Sequence, residues 1–161
     1  MKSQLKNILF VLLFILCASP LFAQFGEKKS YTISYCNNPP KIDGKLNDIA
    51  WQKLNKTSDF VEIIPNNGAL QKQAQATEVQ ICYDDNAIYF GVMMHDNAPD
   101  SILKELTRRD VQEKNFDNFS IWFDPYNNGQ LSYNFSVTAA GVQSDGKYTT
   151  TGIDMNWDAV W

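Results

Sequence analysis

The chain has 161 residues, of which 44% are hydrophobic and 20% charged, and its formal net charge is −4. This length is sufficient for one domain with its own hydrophobic core. The acidic balance, with Arg108 and Arg109 as the only arginines, disfavours binding to nucleic acid or to anionic membranes.

The first 23 residues have the pattern of a secretory signal peptide. Lys2 and Lys6 precede an apolar run over residues 8–17, and the run is shorter than the roughly 20 residues of a membrane-spanning helix. We therefore predict that residues 1–23 are cleaved after Ala23, which leaves 12 basic and 18 acidic residues and a net charge of −6. The leader predicts a secreted protein, and a family resemblance carried by later residues implies the periplasm, the outer membrane or the cell surface.

After the leader, residues 24–30 are predicted to be a short linker and residues 31–161 to form the domain. A first strand is expected over residues 31–36, where apolar and polar side chains alternate. Asn47 is expected to cap a short helical turn that buries Trp51.

The clearest pattern lies between Thr77 and Asp96. Apolar and polar side chains alternate over residues 77–83, and a second apolar and aromatic run covers residues 88–94. The residues between the runs begin with Asp-Asp-Asn, which tolerate the backbone angles of a tight reversal. The pattern predicts an antiparallel hairpin.

The other predicted elements are a strand over 60–64, a short helix capped by Asp100 that includes residues 102–106, and strands near 119–123, 131–137, 142–148 and 157–161. Short strands separated by turn residues, with little helix, predict an all-β fold. We expect an antiparallel, jelly-roll-like β-sandwich with one or two short helical turns. Because the last predicted strand reaches Trp161, we also expect an incomplete domain that continues beyond it.

Two cysteines remain after the leader, Cys36 and Cys82, and both lie in strand-like segments. An oxidising compartment permits a disulfide between them. The alternative is two buried thiols that pack as small hydrophobic side chains. Spacing alone does not decide between the two, because disulfide geometry is specific.

Four regions occur in an order and spacing known from one family: PKIDG at 40–44 with DIAW at 48–51, TEVQICYDD at 77–85, residues 87–96, and DNFSIWFD at 117–124. Together they resemble the family 9 carbohydrate-binding modules, from about residue 31 to the end of the chain. The pairs Arg109-Asp110 and Trp157-Asp158 are similar to a subgroup at the amino terminus of secreted, outer-membrane-associated proteins. The resemblance implies a β-sandwich, sugar binding, a structural calcium ion and a role in polysaccharide breakdown.

The resemblance also indicates where sugar would bind. An aromatic clamp residue of the family corresponds to Lys114, with Phe116 nearby as a substitute, and a carboxylate within the following strand corresponds to Ser120. The candidate carbohydrate-binding residues of this stretch are Lys114, Phe116, Asn118, Trp122 and Tyr126. Flat aromatic rings combined with a few polar groups are typical of sugar sites.

Alternation along this strand separates two faces. Phe119, Ile121 and Phe123 share one face, which is predicted to be buried. Trp122 shares the opposite face with Ser120, and the sequence leaves open whether Trp122 is exposed or covered by another layer.

Loop aspartates are candidate ligands for the calcium ion that the resemblance implies, because calcium takes carboxylate and carbonyl oxygens. The candidate metal ligands are Asp84, Asp85, Asp96 and Asp124. Zinc is disfavoured, because His95 is the only histidine and no two cysteines are close in the sequence.

Glycoside hydrolysis requires two carboxyl groups about 5–9.5 Å apart. Asp117 and Asp124 do not form such a pair, since a strand of this length separates them by about 23 Å and points them to opposite faces. We predict no catalytic site in this chain.

The sequence therefore predicts a non-catalytic module that binds polysaccharide or oligosaccharide as part of a secreted protein. One alternative is a targeting domain of a glycoside hydrolase whose catalytic part lies outside this chain. A second alternative is a structural or interaction domain that no longer binds sugar and lies beside an outer-membrane β-barrel of the same chain.

Overall fold

The computed structural model describes residues 29–111, 116–154 and 156–161. The predicted signal peptide, most of the predicted linker and Lys114 lie outside these residues. The strands of the described chain are β1 Ser34–Tyr35, β2 Thr77–Tyr83, β3 Ile88–Met94, β4 Asn118–Phe123, β5 Leu131–Thr138, β6 Gln143–Thr149 and β7 Gly152–Asp154. The described helical elements are one turn of α-helix, α1 Ile49–Gln52, and two 3-10 turns, Gln73–Gln75 and Pro99–Ser101.

The strands form two sheets, with the orders β1-β2-β3 and β4-β5-β6-β7. All paired neighbours in the four-stranded sheet are antiparallel. The all-β, sandwich-like class predicted from the sequence is confirmed. One pair departs from the antiparallel pattern, because β1 runs parallel to β2, with Ser34 opposite Cys82.

The β2–β3 hairpin has the bounds that alternation predicts, and Asp84 explains its turn. The Asp84 N–H donates to the carbonyl of Ala87 at 3.0 Å. Its Oδ1 accepts the backbone N–H groups of Asn86 and Ala87, each at 2.8 Å. An aspartate that caps its own turn in this way fixes where the hairpin reverses.

Three predicted elements differ in the structure. Residues 60–64 contribute an isolated bridge between Val61 and Leu70, in place of a strand. Residues 102–106 are not helical, because Asp117 takes both backbone groups of Leu103. The Leu103 N–H donates to Asp117 Oδ2 at 2.7 Å, and the Leu103 carbonyl accepts the Asp117 N–H at 3.2 Å. Residues 157–161 have no ladder partner in the described chain and are held instead by ring contacts of Trp157 and Trp161 and by the hydrogen bond from the Ala159 N–H to Asp145.

The chain divides into two compact units. The first contains residues 29–57 and Ile81–Phe90, and its core is formed by Cys36, Trp51 and Cys82. The partly buried side chains that pack on this core are Leu46, Ala50, Leu54 and Tyr89. The prediction that Trp51 lies in the core is confirmed, since it is 4% exposed.

The second unit contains residues Ser58–Gln80 and Gly91–Trp161, and it holds the four-stranded sheet. One side of that sheet is aromatic. The Phe135 ring lies 6.2 Å from Phe123 and 5.9 Å from Trp157, measured between centroids. These contacts place the chain end against β5.

None of the helical turns in the described residues is long and apolar enough to cross a membrane.

Candidate functional site

Strand β4 separates a polar side from an apolar side residue by residue. Asn118, Ser120 and Trp122 are exposed. The residues that alternate with them are half-buried: Phe119, Ile121 and Phe123. The prediction that Phe119, Ile121 and Phe123 face inward is therefore supported. Trp122 is 56% exposed. Of the two alternatives that the sequence leaves open, it is therefore exposed and not covered by another layer.

The strand register extends this polar side across the sheet. Ser120 lies opposite Ser136 on β5, and Ser136 lies opposite Ser144 on β6. Side chains in register across neighbouring strands project to the same face of a sheet. We call this surface the polar face and define it by Asn118, Ser120, Trp122, Ser136, Ser144 and Tyr148.

Trp122 and Tyr148 form the aromatic part of the polar face. Their ring centroids are 4.3 Å apart and the ring planes are inclined at 59°. Asn134, the β5 partner of Trp122, is only 5% exposed, and its Nδ2 donates to the Ile121 carbonyl at 3.1 Å. The Trp122 ring is thus held by a neighbouring ring while more than half of it remains in contact with solvent.

Polar groups lie beside these rings on the same face. Ser120 Oγ lies 2.8 Å from Ser136 Oγ and 3.1 Å from Asn118 Oδ1. Asn118 Nδ2 donates to the Phe116 carbonyl at 3.0 Å. This row of hydroxyl and amide groups offers both hydrogen-bond donors and acceptors. A sugar hydroxyl can pair with either, because it is itself both a donor and an acceptor.

The predicted carbohydrate-binding residues are only partly brought together. Asn118 and Trp122 share the polar face, and the backbone of Phe116 is tied to Asn118. Tyr126 is 69% exposed in the turn after β4, and Lys114 lies outside the described residues. Tyr148 is not among the binding residues predicted from the sequence. Its position four residues after Ser144 in a predicted strand places both on one face, and this was the available signal.

Asp124 forms the turn that carries Tyr126. Its Oδ2 accepts the Gly129 N–H at 2.7 Å and its Oδ1 accepts the Tyr126 N–H at 3.1 Å. Gly129 has φ of 66°, which favours glycine. The hydrogen bond from the Gly129 N–H, followed by those from other turn amides, lowers the pKa of the Asp124 carboxyl.

Replacing Asp124 by asparagine is expected to lower stability at neutral pH, with a difference from the wild type that disappears in acid. The folded-state pKa lies below the unfolded value, so the charged carboxylate contributes fully above about pH 4. That contribution is lost as the pH falls through the lowered folded value. Urea unfolding from neutral pH to about pH 2 measures this difference. Asp59→Asn, at an exposed position, is the control, and a pH-independent difference would contradict the assignment.

The four predicted metal ligands belong to two different units. Asp84 and Asp85 belong to the first unit, and Asp96 and Asp124 to the second. Asp84 Oδ2 accepts the Tyr89 hydroxyl at 3.0 Å, and Asp96 Oδ1 accepts the Ala98 N–H at 2.7 Å. Within the described residues, no three His, Cys, Asp or Glu side chains converge as a metal site. Calcium binding by Asp84, Asp85, Asp96 and Asp124 stays a prediction.

A second polar cluster surrounds Asp145 on β6, which is 1% exposed. Its Oδ2 accepts hydrogen bonds from Arg109 Nη2 and, at 3.1 Å, from Trp161 Nε1. Its Oδ1 accepts the Ala159 N–H at 3.0 Å. The carboxylate therefore ties Arg109 and the last residues of the chain to the sheet.

Arg109 is also the centre of the other charges in this cluster. Its Nη2 lies 3.3 Å from Asp158 Oδ1, and its Nε lies 3.4 Å from Asp110 Oδ2. Asp110 has φ of 64°, and its Oδ1 accepts the Asp145 N–H at 3.1 Å. We call Arg109, Asp110, Asp145 and Asp158 the arginine cluster. The cluster thus connects Arg109 and Asp110 to β6 and to the last residues of the chain.

Comparison with known proteins finds no match among protein-family models, curated proteins or solved structures. The resemblance to family 9 carbohydrate-binding modules therefore stays a prediction from the sequence.

Proposed function

We propose that this chain is a non-catalytic module that binds neutral polysaccharide on its polar face. The observation that carries the proposal is the exposed Trp122 ring, held against Tyr148 beside a chain of hydroxyl and amide groups. A large aromatic side chain that stays half in water on a regular strand loses the stabilisation of burial. A sugar ring would cover it, because the C–H faces of sugars are apolar while their edges carry hydroxyls.

The charge of the polar face favours an uncharged ligand. The side chains that define it are serine, asparagine, tryptophan and tyrosine, and none carries a charge at neutral pH. Neutral hydroxyls of a polysaccharide match such a surface, whereas anionic polysaccharides are bound through lysine or arginine. The predicted secretory leader would bring the module to the place where polysaccharides are found.

Replacing Trp122 by alanine is expected to weaken polysaccharide binding roughly tenfold, which corresponds to about 1.4 kcal/mol. Loss of an aromatic contact at the centre of a binding site costs 1 kcal/mol or more as a rule. Calorimetry or affinity electrophoresis of the purified chain with soluble glucans, xylans and mannans would measure the change. Trp122→Phe, which keeps a ring, should retain part of the affinity.

The matched control is Leu106→Ala, because Leu106 is 77% exposed and does not belong to the polar face. Its affinity should equal that of the wild type. Binding that is unchanged in Trp122→Ala would place the site elsewhere on the module. If the chain is retained by no polysaccharide, carbohydrate binding is rejected and the interaction-domain alternative is favoured.

A further inference from the structure

The two cysteines of the first unit are placed together by strand pairing. Cys82 lies on β2 opposite Ser34 of β1, and the Cys36 N–H donates to the Tyr83 carbonyl at 2.8 Å. Both are free, buried thiols, and they belong to the same core cluster as Trp51. Residues 34 and 36 of an extended chain project to the same side, so Cys36 and Cys82 share one side of the β1–β2 pair.

The two thiols differ in their access to solvent. Cys82 is fully buried beside Trp51 in the core of the first unit. Cys36 is 8% exposed and lines a cleft of about 280 Å³ with Ala50 and Lys53. A small reagent in this cleft would therefore meet Cys36 first.

We propose that Cys36 and Cys82 form an intrachain disulfide by exchange with a small disulfide oxidant, such as oxidised glutathione, that enters the cleft. The Cys36 thiolate attacks one sulfur of the oxidant, whose S–S bond breaks and releases one glutathione thiol. Cys82 then gives up its proton and attacks the Cys36 sulfur, which releases the second glutathione. Two protein thiols are thus oxidised to one disulfide, and one glutathione disulfide is reduced to two thiols.

Two further observations support this assignment and its order of steps. Burial, and then the hydrogen bond with Cys36, raises the pKa of the Cys82 thiol to about 12. This disfavours the Cys82 thiolate, which is the nucleophilic form. Cys36 lines the cleft whereas Cys82 is fully buried, so Cys36 is the thiol that a reagent reaches first. The bond would also close the loop that contains α1, and closing a long loop restricts the unfolded chain.

The test compares the purified chain after equilibration with oxidised glutathione and after reduction. We expect a monomer that is lighter by about 2 Da, no thiol that can be alkylated after denaturation, and a melting temperature higher by about 10 °C. Cys36→Ala and Cys82→Ala should each abolish the shift between the two conditions. Ser34→Ala, which keeps both thiols, should preserve it.

The two cysteine variants control for each other. Cys82→Ala alters the centre of the core, whereas Cys36→Ala alters only its edge, so an effect shared by both variants comes from loss of the disulfide. In Cys82→Ala, a stable mixed disulfide with glutathione at Cys36 is the expected trapped intermediate. The proposal is overturned if both thiols of the wild type remain free after equilibration, or if the oxidised product is a disulfide-linked dimer.

Discussion

Replacing Trp51 by alanine is expected to destabilise the first unit by about 3–5 kcal/mol, the usual range for removal of a buried tryptophan. Trp51 is 4% exposed and forms the core with Cys36 and Cys82. A core with so few fully buried side chains has little capacity to repack around the missing indole. Urea unfolding monitored by circular dichroism would measure the loss.

The control lies two residues away on the same helical turn. Ile49 is 65% exposed, so Ile49→Ala should change the free energy of unfolding by less than about 0.5 kcal/mol. Trp51→Phe should lie between the two variants, since it keeps part of the buried area. Equal effects of Trp51→Ala and Ile49→Ala would contradict the placement of the core.

Replacing Asp145 by alanine is the second change with a large expected effect, about 3 kcal/mol. The carboxylate accepts hydrogen bonds from the Arg109 guanidinium, the Trp161 indole and the Ala159 backbone. Its removal takes this acceptor from the Trp161 indole and the Ala159 N–H, removes one of the carboxylates paired with Arg109, and releases the residues that pack on β5. The side chain of Arg109 is 34% exposed and can regain water, which keeps the cost below that of a fully buried pair.

Asp158→Ala is the matched control, because Asp158 pairs with the same guanidinium but its side chain is 74% exposed. Exposed pairs contribute about 0–1 kcal/mol, so this variant should be close to the wild type. Fluorescence of the tryptophans at the chain end would shift in Asp145→Ala if residues 156–161 detach. A cost for Asp145→Ala no larger than that for Asp158→Ala would contradict the role of the arginine cluster.

Local chemistry explains what could be predicted from the sequence. The β2–β3 hairpin follows from alternation and from Asp84, whose hydrogen-bond partners are two and three residues away. The inward face of β4 also follows from alternation. The helix predicted over residues 102–106 is wrong because Asp117, 14 residues away, competes for the backbone of Leu103.

Contacts between distant residues explain what could not be predicted. Arg109 and Asp145 are 36 positions apart, and no local pattern pairs them. Trp157 and Trp161 pack against Phe135 on the side of the sheet opposite to Trp122, and no local pattern predicts these contacts. Trp122 is a candidate from the sequence alone. Its ring contact with Tyr148 could be predicted only from the register of three strands, β4, β5 and β6.

The parallel pairing of β1 with β2 has a consequence for the order in which the first unit folds. The hairpin closes over the residues between Tyr83 and Ile88, so β2 and β3 meet early. The Ile81 N–H donates to the Tyr31 hydroxyl across 50 positions, and the entropy of closing that loop must be overcome before β1 docks. Because the Trp51 indole packs on Cys36, next to β1, and on Cys82 of β2, we expect it to become buried only once β1 has docked.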